Sequence, residues 1–142
     1  MTPFTGITQS AALPYMIRGN KLRLLLVTSL GTKRWVLPKG NVEPGLTACE
    51  SAEFEAREEA GVMGRMTVRS IGAYTYRKPD ENESIYRVRV FPLEVLRELD
   101  DYPEAARRKR KWMKVGKAVE GVREPELKAL MTRFAARFGT IS

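Results

Sequence analysis

The stretch from Gly40 to Val62, GNVEPGLTACESAEFEAREEAGV, constrains the fold of this chain more than any other part of the sequence. Its second half predicts a short helix, because Thr47 and Glu50 have the spacing of a capping box and Gly61 follows the last helical residue. Small residues recur along one stripe of this helix, namely Ala48, Cys49, Ala52, Ala56 and Ala60. We therefore expect a helix whose backbone packs closely onto the core.

Three carboxylates share the helix face that borders this stripe of small residues. At about 100° per residue, the side chains of Glu55, Glu58 and Glu59 lie together at the rim of the core. Carboxylates this close repel one another, so we expect a cation between them, and hard oxygen ligands suit Mg²⁺ or Mn²⁺ better than Zn²⁺. The plainer interpretation of a glutamate-rich helix is a solvated surface.

The loop before the helix offers a place for phosphate. Pro38-Lys39-Gly40 and Pro44-Gly45 bracket a glycine-bearing turn, and glycine lets the backbone approach a ligand closely. A helix N-terminus that follows such a loop favours anions. Carboxylates, a divalent cation and this loop together predict attack on a phosphoanhydride, in which the metal neutralises charge and activates water.

The same stretch resembles the Nudix box, a glycine followed by spaced acids, an arginine-glutamate, a glutamate pair and a final glycine. The positions in register are Gly40, Glu55, Glu58, Glu59, Gly61 and Val62. Two positions depart from the pattern. Leu46 stands where the box has glutamate, and Phe54 stands where it has an arginine that in the family helps to orient the following glutamate.

The resemblance implies a fold and a set of roles. The fold would be α/β (α+β), a Nudix-type α/β/α sandwich with a mixed β-sheet, as a single domain over residues 1–142. The catalytic residues would be Glu55, Glu58 and Glu59, and together with Gly40 they would ligate Mg²⁺ or Mn²⁺. Glu55 would either bind the metal or orient and deprotonate water. A later acid often assists in the family, and the sequence leaves three candidates open: Glu83, Glu94 and Glu104.

The likeness extends beyond the box to diphosphoinositol polyphosphate phosphohydrolases. It is carried by KRWVLP at 33–38, LDDY at 99–102 and RKRKW at 108–112. Proteins of this type cleave phosphoanhydrides in diphosphoinositol polyphosphates and in dinucleoside polyphosphates, so the resemblance implies an anionic, polyphosphorylated small-molecule substrate. Three alternatives remain: a nucleoside triphosphate pyrophosphohydrolase, a capped-RNA pyrophosphohydrolase, and a domain that binds a phosphorylated ligand without cleaving it. An aromatic base sandwich, for which Tyr76 and Tyr86 are candidates, would favour a nucleotide.

The charge of the chain agrees with a polyanionic partner. Lys and Arg number 25 against 17 Asp and Glu, a formal net charge of +8. The cations that we expect to bind substrate phosphates are Arg18, Arg34, Lys39, Arg108 and Arg110. The last two belong to a run of cations at 107–111, which could equally be a solvated face or a nonspecific RNA contact. Nucleic acid is the weaker expectation, because no RNA-binding aromatic signature accompanies the charge.

The rest of the sequence predicts elements and excludes some chemistry. The expected strands are 10–18, 22–27, 35–37, 66–76, 84–93 and 112–115, and the expected helices are 115–122 and 124–138. The chain has no histidine, which excludes histidine bases and histidine metal sites. Its single cysteine excludes an internal disulfide and suits a reducing compartment, so we expect a cytoplasmic protein. We see no signal peptide and no stretch of membrane-spanning length, and the oligomeric state is open.

Overall fold

A computed structural model of the chain describes residues 4–78 and 83–138, and over these residues the strands form one mixed sheet with helices on both faces. The strands are β1 (Ile7–Arg18), β2 (Lys21–Thr28), β3 (Trp35–Val36), β4 (Lys39–Asn41), β5 (Val62–Met66), β6 (Gly72–Arg77), β7 (Ile85–Glu98) and β8 (Arg110–Lys114). The helices are α1 (Ala48–Glu55), α2 (Val115–Gly121) and α3 (Pro125–Ala136), and a π-helical turn (Ala56–Ala60) continues α1. The predicted α/β fold with a mixed sheet is confirmed.

Strand β1 organises the sheet. It runs parallel to β7, and the other pairings between the described strands are antiparallel. It forms a hairpin with β2 through Gly19 and Asn20, both with positive φ, as the Gly-Asn signal predicts. Its other end pairs with β4, from Gln9 opposite Asn41 to Ala11 opposite Lys39. The segment that precedes α1 is therefore tied to the middle of the sheet.

The two faces of the sheet are packed differently. Helices α2 and α3 cover one face, and an apolar stripe of α3 is buried there through Leu127, Leu130, Met131 and Phe134. Helix α1 and the π-helical turn cover the other face with alanines, namely Ala52, Ala56 and Ala60, each without exposed surface. The predicted close approach of this helix is confirmed, because side chains this small leave its backbone next to the sheet.

Three sequence predictions about strands are wrong. Of the single strand expected at 66–76, Met66 is the end of β5, residues 67–71 lie outside the strands, and the rest belongs to β6; β7 pairs with β5 and β6 in succession. β7 accordingly runs from Ile85 to Glu98, beyond the expected end at 93, and Gly72 adopts a φ of 139° where β6 begins. The segment Lys39–Asn41, expected to be loop, is the strand β4. Among the described residues, no helix combines the length and apolar character needed to cross a membrane.

Candidate active site

Local signals fix both ends of the glutamate-bearing helix. The Thr47 hydroxyl accepts a hydrogen bond from the Glu50 amide at 3.1 Å, and the Glu50 carboxylate accepts one from the Thr47 amide at 2.8 Å, which confirms the predicted capping box. Gly61 ends the helix with a φ of 63°, a left-handed conformation that glycine adopts without strain. The last turn is π-helical rather than α-helical, a departure that is frequent at functional sites.

Glu59 is buried where three elements meet. Its Oε1 accepts a hydrogen bond from the backbone amide of Lys39 on β4 at 3.1 Å. Its Oε2 lies 3.5 Å from Nη2 of Arg108, which precedes β8. Burial raises the pKa of Glu59 to about 7, although the Arg108 charge and the Lys39 amide both favour the ionised form.

Glu55 lies beside Glu59, one turn earlier on the same face. The negative charge of Glu55 is one of the causes that raise the pKa of Glu59. Burial raises the pKa of Glu55, and nearby carboxylates, Glu104 foremost, raise it further. Glu58 is half-buried next to this pair, and its backbone carbonyl accepts a hydrogen bond from the Glu104 amide at 3.0 Å. The pair thus has an electrostatic environment that a cation would improve.

Gly40 is required by the approach of β4 to this pair. A Cβ atom at position 40 would overlap the Glu55 carboxylate, so a residue with a side chain would push the glutamate away. Gly40, Glu55 and Glu59 are therefore brought together as the sequence predicts.

The donors at this place suit a hard divalent cation. Within residues 4–78 and 83–138, no three acidic or cysteine side chains converge closely enough to enclose a metal ion by themselves. Mg²⁺ usually needs only one or two carboxylates and retains several waters. The Glu55–Glu59 pair, with Glu58 and the backbone of Gly40 beside it, meets that requirement with oxygen donors alone.

A cavity of about 420 Å³ opens onto Glu59, and its walls are strongly basic. In the described part of the chain, its lining contains one carboxylate, that of Glu59, and six cationic side chains: Arg34, Lys39, Arg77, Lys78, Arg108 and Arg123. Burial lowers the pKa of Lys39 to about 8, with Glu59 opposing the shift. A ligand that fills this cavity must carry negative charge.

Arg34 lines this cavity and has one nitrogen without a partner among the described residues. Its Nη2 donates to Oε2 of Glu124 at 3.0 Å, which fixes the plane of the guanidinium group. Its Nη1 is buried, and among the described residues it has no hydrogen-bond partner. A buried donor without a partner is costly, and because Arg34 lines the cavity it is a candidate for contact with an acceptor that enters it.

Tyr76 also lines the cavity, but its ring already makes contacts within the protein. It stacks on Tyr86, its cross-strand neighbour, at 4.9 Å between centroids and 9° between planes. The Lys39 ammonium lies over the ring at 5.3 Å from its centroid, and the hydroxyl donates to Gln9 at 2.9 Å. A nucleobase would have to compete with these contacts for the ring.

The structure brings three of the five predicted phosphate-binding cations to the cavity, namely Arg34, Lys39 and Arg108. Arg18 lies elsewhere. It pairs with Lys21 at the closed end of the β1–β2 hairpin, nine residues from Gln9, a separation of about 30 Å along an extended strand. Periodicity identified its strand but not which end of that strand faces the site.

Arg110 is occupied away from the cavity, at the C-terminal end of the glutamate-bearing helix. Its Nη1 donates to the carbonyl of Ala60 at 2.9 Å and of Gly61 at 3.3 Å, and its guanidinium lies 4.8 Å from the centroid of the Tyr102 ring. A cation at this position satisfies helix-terminal carbonyls and complements the helix dipole. Of the basic run at 107–111, Arg108 and Arg110 thus point inward, whereas Arg107, Lys109 and Lys111 are exposed.

The structure also separates the three later acids. Glu104 accepts a hydrogen bond from Nε of Arg108 at 2.6 Å and lies next to the glutamate pair. Glu94 instead pairs with Arg65 at 3.3 Å, and Glu83 lies 3.9 Å from Arg77. Only Glu104 of these candidates is positioned beside the glutamates.

Comparison with known proteins identifies a matching family profile and several similar proteins. The NUDIX domain profile matches residues 8–138. Nudix hydrolase 12, mitochondrial, of Arabidopsis thaliana is 38% identical over 106 residues, covering 71% of this chain and 52% of that protein. Diphosphoinositol polyphosphate phosphohydrolase 3-alpha of Mus musculus is 32% identical over 99 residues, covering 68% of this chain and 57% of that protein. The chain thus spans a little over half of the length of these two relatives.

A solved structure supports the fold independently. The C. elegans Ap4A hydrolase in a binary complex superposes with a TM-score of 0.71 at 21% sequence identity, covering 92% of this chain and 96% of that one. At this level of identity the likeness concerns the fold alone. Some of these relatives are named as mitochondrial, so the cytoplasmic location of this chain stays a prediction.

Proposed function

Because the chain belongs to the Nudix hydrolase family, we propose that it uses Mg²⁺ or Mn²⁺ to hydrolyse a phosphoanhydride bond in a polyphosphorylated small molecule. The observation that carries this proposal is the basic cavity that ends at Glu59. The cations that line this cavity besides Arg108 can bind several phosphates while the terminal one reaches the glutamate pair.

Each glutamate has a proposed role in this reaction. Glu58, Glu59 and the Gly40 carbonyl would hold the metal, which when bound neutralises charge on the phosphates and acidifies a water. Glu55 would complete the ligand set or accept a proton from that water, since it lies one turn before Glu59 on the same helix face. Glu104 lies close enough to favour the same proton transfer.

The cationic side chains would bind and orient the substrate. Arg34 offers its free Nη1 to a phosphate oxygen without giving up its bond to Glu124. The Lys39 ammonium, although its pKa is lowered by burial, gains a counter-charge when phosphate enters. Binding of this kind positions the reacting phosphorus, which is a large part of catalysis in phosphoryl transfer.

Among polyphosphorylated substrates, the cavity favours a diphosphoinositol polyphosphate type over a dinucleoside polyphosphate. A densely phosphorylated ring needs many cations and no stacking platform, and the ring of Tyr76 is engaged by Tyr86 and Lys39. The dinucleoside polyphosphate remains the second candidate, because Tyr76 still forms part of the wall.

A substrate screen tests this proposal. The purified chain would be incubated with a diphosphoinositol pentakisphosphate, diadenosine tetraphosphate, a nucleoside triphosphate and a cap dinucleotide, each with Mg²⁺ or Mn²⁺, and the products identified by mass spectrometry. We expect release of phosphate from the diphosphoinositol compound, lost in a Glu59→Gln variant. Faster turnover of a nucleotide would transfer the assignment to that substrate, and binding without turnover of any of them would make this a non-catalytic domain.

A further inference from the structure

This chain lacks the arginine of the Nudix box that in the family helps to orient the following glutamate. Phe54 stands at the position of the box arginine, has no hydrogen-bond donor, and leaves 46% of its surface exposed. The glutamates that follow it are nonetheless held in place. Glu59 receives a backbone hydrogen bond from β4, and its second oxygen faces a guanidinium group from another part of the chain.

That guanidinium belongs to Arg108, whose side chain is only 10% exposed. Its Nη2 lies 3.5 Å from Oε2 of Glu59, and its Nε donates to Oε1 of Glu104 at 2.6 Å. Its Nη1 donates to the backbone carbonyl of Thr28, at the end of β2, at 3.1 Å. All three nitrogens thus have protein partners, and one of these partners is a fixed point of the sheet.

The loop that carries Arg108 is itself bound to the glutamate-bearing turn. The Glu104 amide donates to the Glu58 carbonyl at 3.0 Å, and the Leu99 amide donates to the Gly61 carbonyl at 2.7 Å. The Arg108 amide closes a turn onto the Glu104 carbonyl at 3.1 Å. The position of Arg108 relative to Glu59 is therefore set by backbone hydrogen bonds as well as by the ion pair.

We propose that Arg108 is the positioning residue that replaces the missing box arginine, with Glu104 holding the Arg108 side chain in turn. Arg108 supplies from the loop before β8 the cation that the box supplies from the helix, and it fixes the Glu59 carboxylate for metal binding. This inference rests on the proposed function, in which Glu59 is a metal ligand.

The competing role for Arg108 is a direct bond to substrate phosphate, since it lines the cavity. To take that role, Arg108 would have to exchange protein partners for phosphate. Arg34 lines the same cavity, and its Nη1 has no partner among the described residues. The two roles differ in what they predict without substrate. A positioning residue affects metal binding by the free protein, and a phosphate ligand does not.

The experiment compares Arg108→Ala with Arg107→Ala, a matched control in which an exposed neighbour from the same run is removed. Mn²⁺ binding to the metal-free proteins would be followed by the loss of the free-ion EPR signal, and kcat and KM measured separately. We expect Arg108→Ala to weaken Mn²⁺ binding and lower kcat by about tenfold each, the effect typical of groups that orient metal ligands, with KM little changed. Arg107→Ala should match the wild type.

Rescue makes the test specific. Adding Phe54→Arg to Arg108→Ala returns an arginine to the box position, and we expect it to restore at least part of the lost Mn²⁺ affinity. Arg108→Lys, which keeps the charge, should fall between wild type and Arg108→Ala. If Arg108→Ala does not fold, as judged by circular dichroism, Arg108→Lys and Glu104→Gln replace it, and both should weaken Mn²⁺ binding.

Wild-type Mn²⁺ affinity and kcat in folded Arg108→Ala, with a raised KM, would overturn the inference and make Arg108 a phosphate ligand. Wild-type Mn²⁺ affinity in both replacement variants would overturn it equally. Failure of the proposed function has a different signature, because then Glu59→Gln would also bind Mn²⁺ like the wild type. A weakened Glu59→Gln beside an unchanged Arg108→Ala removes this inference alone.

Discussion

The two faces of the sheet show how this chain separates stability from chemistry. Under α3 the sheet buries large side chains, among them Leu130 and Phe134. Under α1 the helix contributes only alanines, which pack on side chains of the sheet such as Leu25, Phe91 and Leu93, so the helix backbone lies close to the sheet. Large apolar side chains contribute most to hydrophobic stabilisation, at about 1.5–3 kcal/mol each. The alanine face contributes less, but it places Glu55 and Glu59 within reach of β4 and Arg108.

The alanine face also carries an electrostatic cost that the other face avoids. Glu59 is buried, and burial and the nearby charge of Glu55 raise its pKa although Arg108 and the Lys39 amide favour the ionised form. Buried charge destabilises a fold unless it is paired. We therefore expect substitutions on the two faces to have opposite signatures, with turnover lost on one and stability lost on the other.

The largest effect expected is on turnover, from Glu59→Gln. This substitution keeps the shape of the side chain and removes the charge that would bind the metal. We expect kcat to fall by roughly a thousandfold, equivalent to about 4 kcal/mol of transition-state stabilisation. The free energy of unfolding of the metal-free protein at pH 8 should stay equal or rise, as measured by urea denaturation. If Glu59→Gln lowered the free energy of unfolding as well as turnover, the two faces would not differ in the way proposed.

On the opposite face, Phe134→Ala should lower stability with little effect on chemistry. Phe134 is buried and packs edge-on against the ring of Tyr15 at 5.1 Å. We expect a loss of about 3 kcal/mol in the free energy of unfolding, from lost transfer energy and the cavity left behind. The kcat of the folded fraction should remain within about twofold of the wild type, since Phe134 lines neither the cavity nor the glutamate pair. Turnover reduced beyond the unfolded fraction would show that the two faces are coupled.

The pH dependence of stability sharpens the comparison. Burial raises the pKa of Glu59 to about 7 from its ordinary value of 4.5, so in this interval the folded protein keeps a proton that the unfolded chain has released. The stabilisation from this group is full below pH 4.5 and is lost as the pH rises through about 7. We expect metal-free wild type to lose roughly 3 kcal/mol across this window relative to Glu59→Gln. Parallel stability curves for the two proteins would show that Glu59 is ionised throughout.

The lowered pKa of Lys39 changes the free energy of unfolding only at higher pH, outside the range of this measurement. Its ordinary value of 10.5 falls to about 8 in the folded protein. The stabilisation that this shift contributes is present above the ordinary value and is lost as the pH falls through about 8. The windows of the two groups are therefore separate, and a titration between pH 5 and 7 reports chiefly on the carboxyl pair.

Local sequence signals predicted the parts of the site that depend on near neighbours. The capping box at Thr47, the left-handed exit at Gly61 and the alanine stripe each rest on residues within one or two helical turns. The structure also brings Gly40, which the resemblance grouped with the three glutamates, next to the Glu55 carboxylate. These features follow from backbone geometry that a short stretch of sequence determines.

Local sequence signals could not predict the contacts between segments that are distant along the chain. Arg108 and Arg110 face inward because of the way the chain enters β8, and a run of five cations gives no indication of which members do so. Glu104 was one of three equal candidates until the fold brought its loop to the π-helical turn. Arg18 was expected at the site because strand patterns do not reveal which end of a hairpin lies near the helix.

The most direct test of the account is the change in unfolding temperature that Mn²⁺ causes at pH 8 in wild type, Phe134→Ala and Glu59→Gln. A cation that binds only the folded protein stabilises it by about 1.4 kcal/mol at ten times its dissociation constant, or roughly 4 °C for a chain of this size. We predict this increase in wild type and, from a lower starting temperature, in Phe134→Ala, and almost none in Glu59→Gln. An equal increase in all three proteins would contradict the account, because the cation would then bind somewhere other than the glutamates of the alanine face.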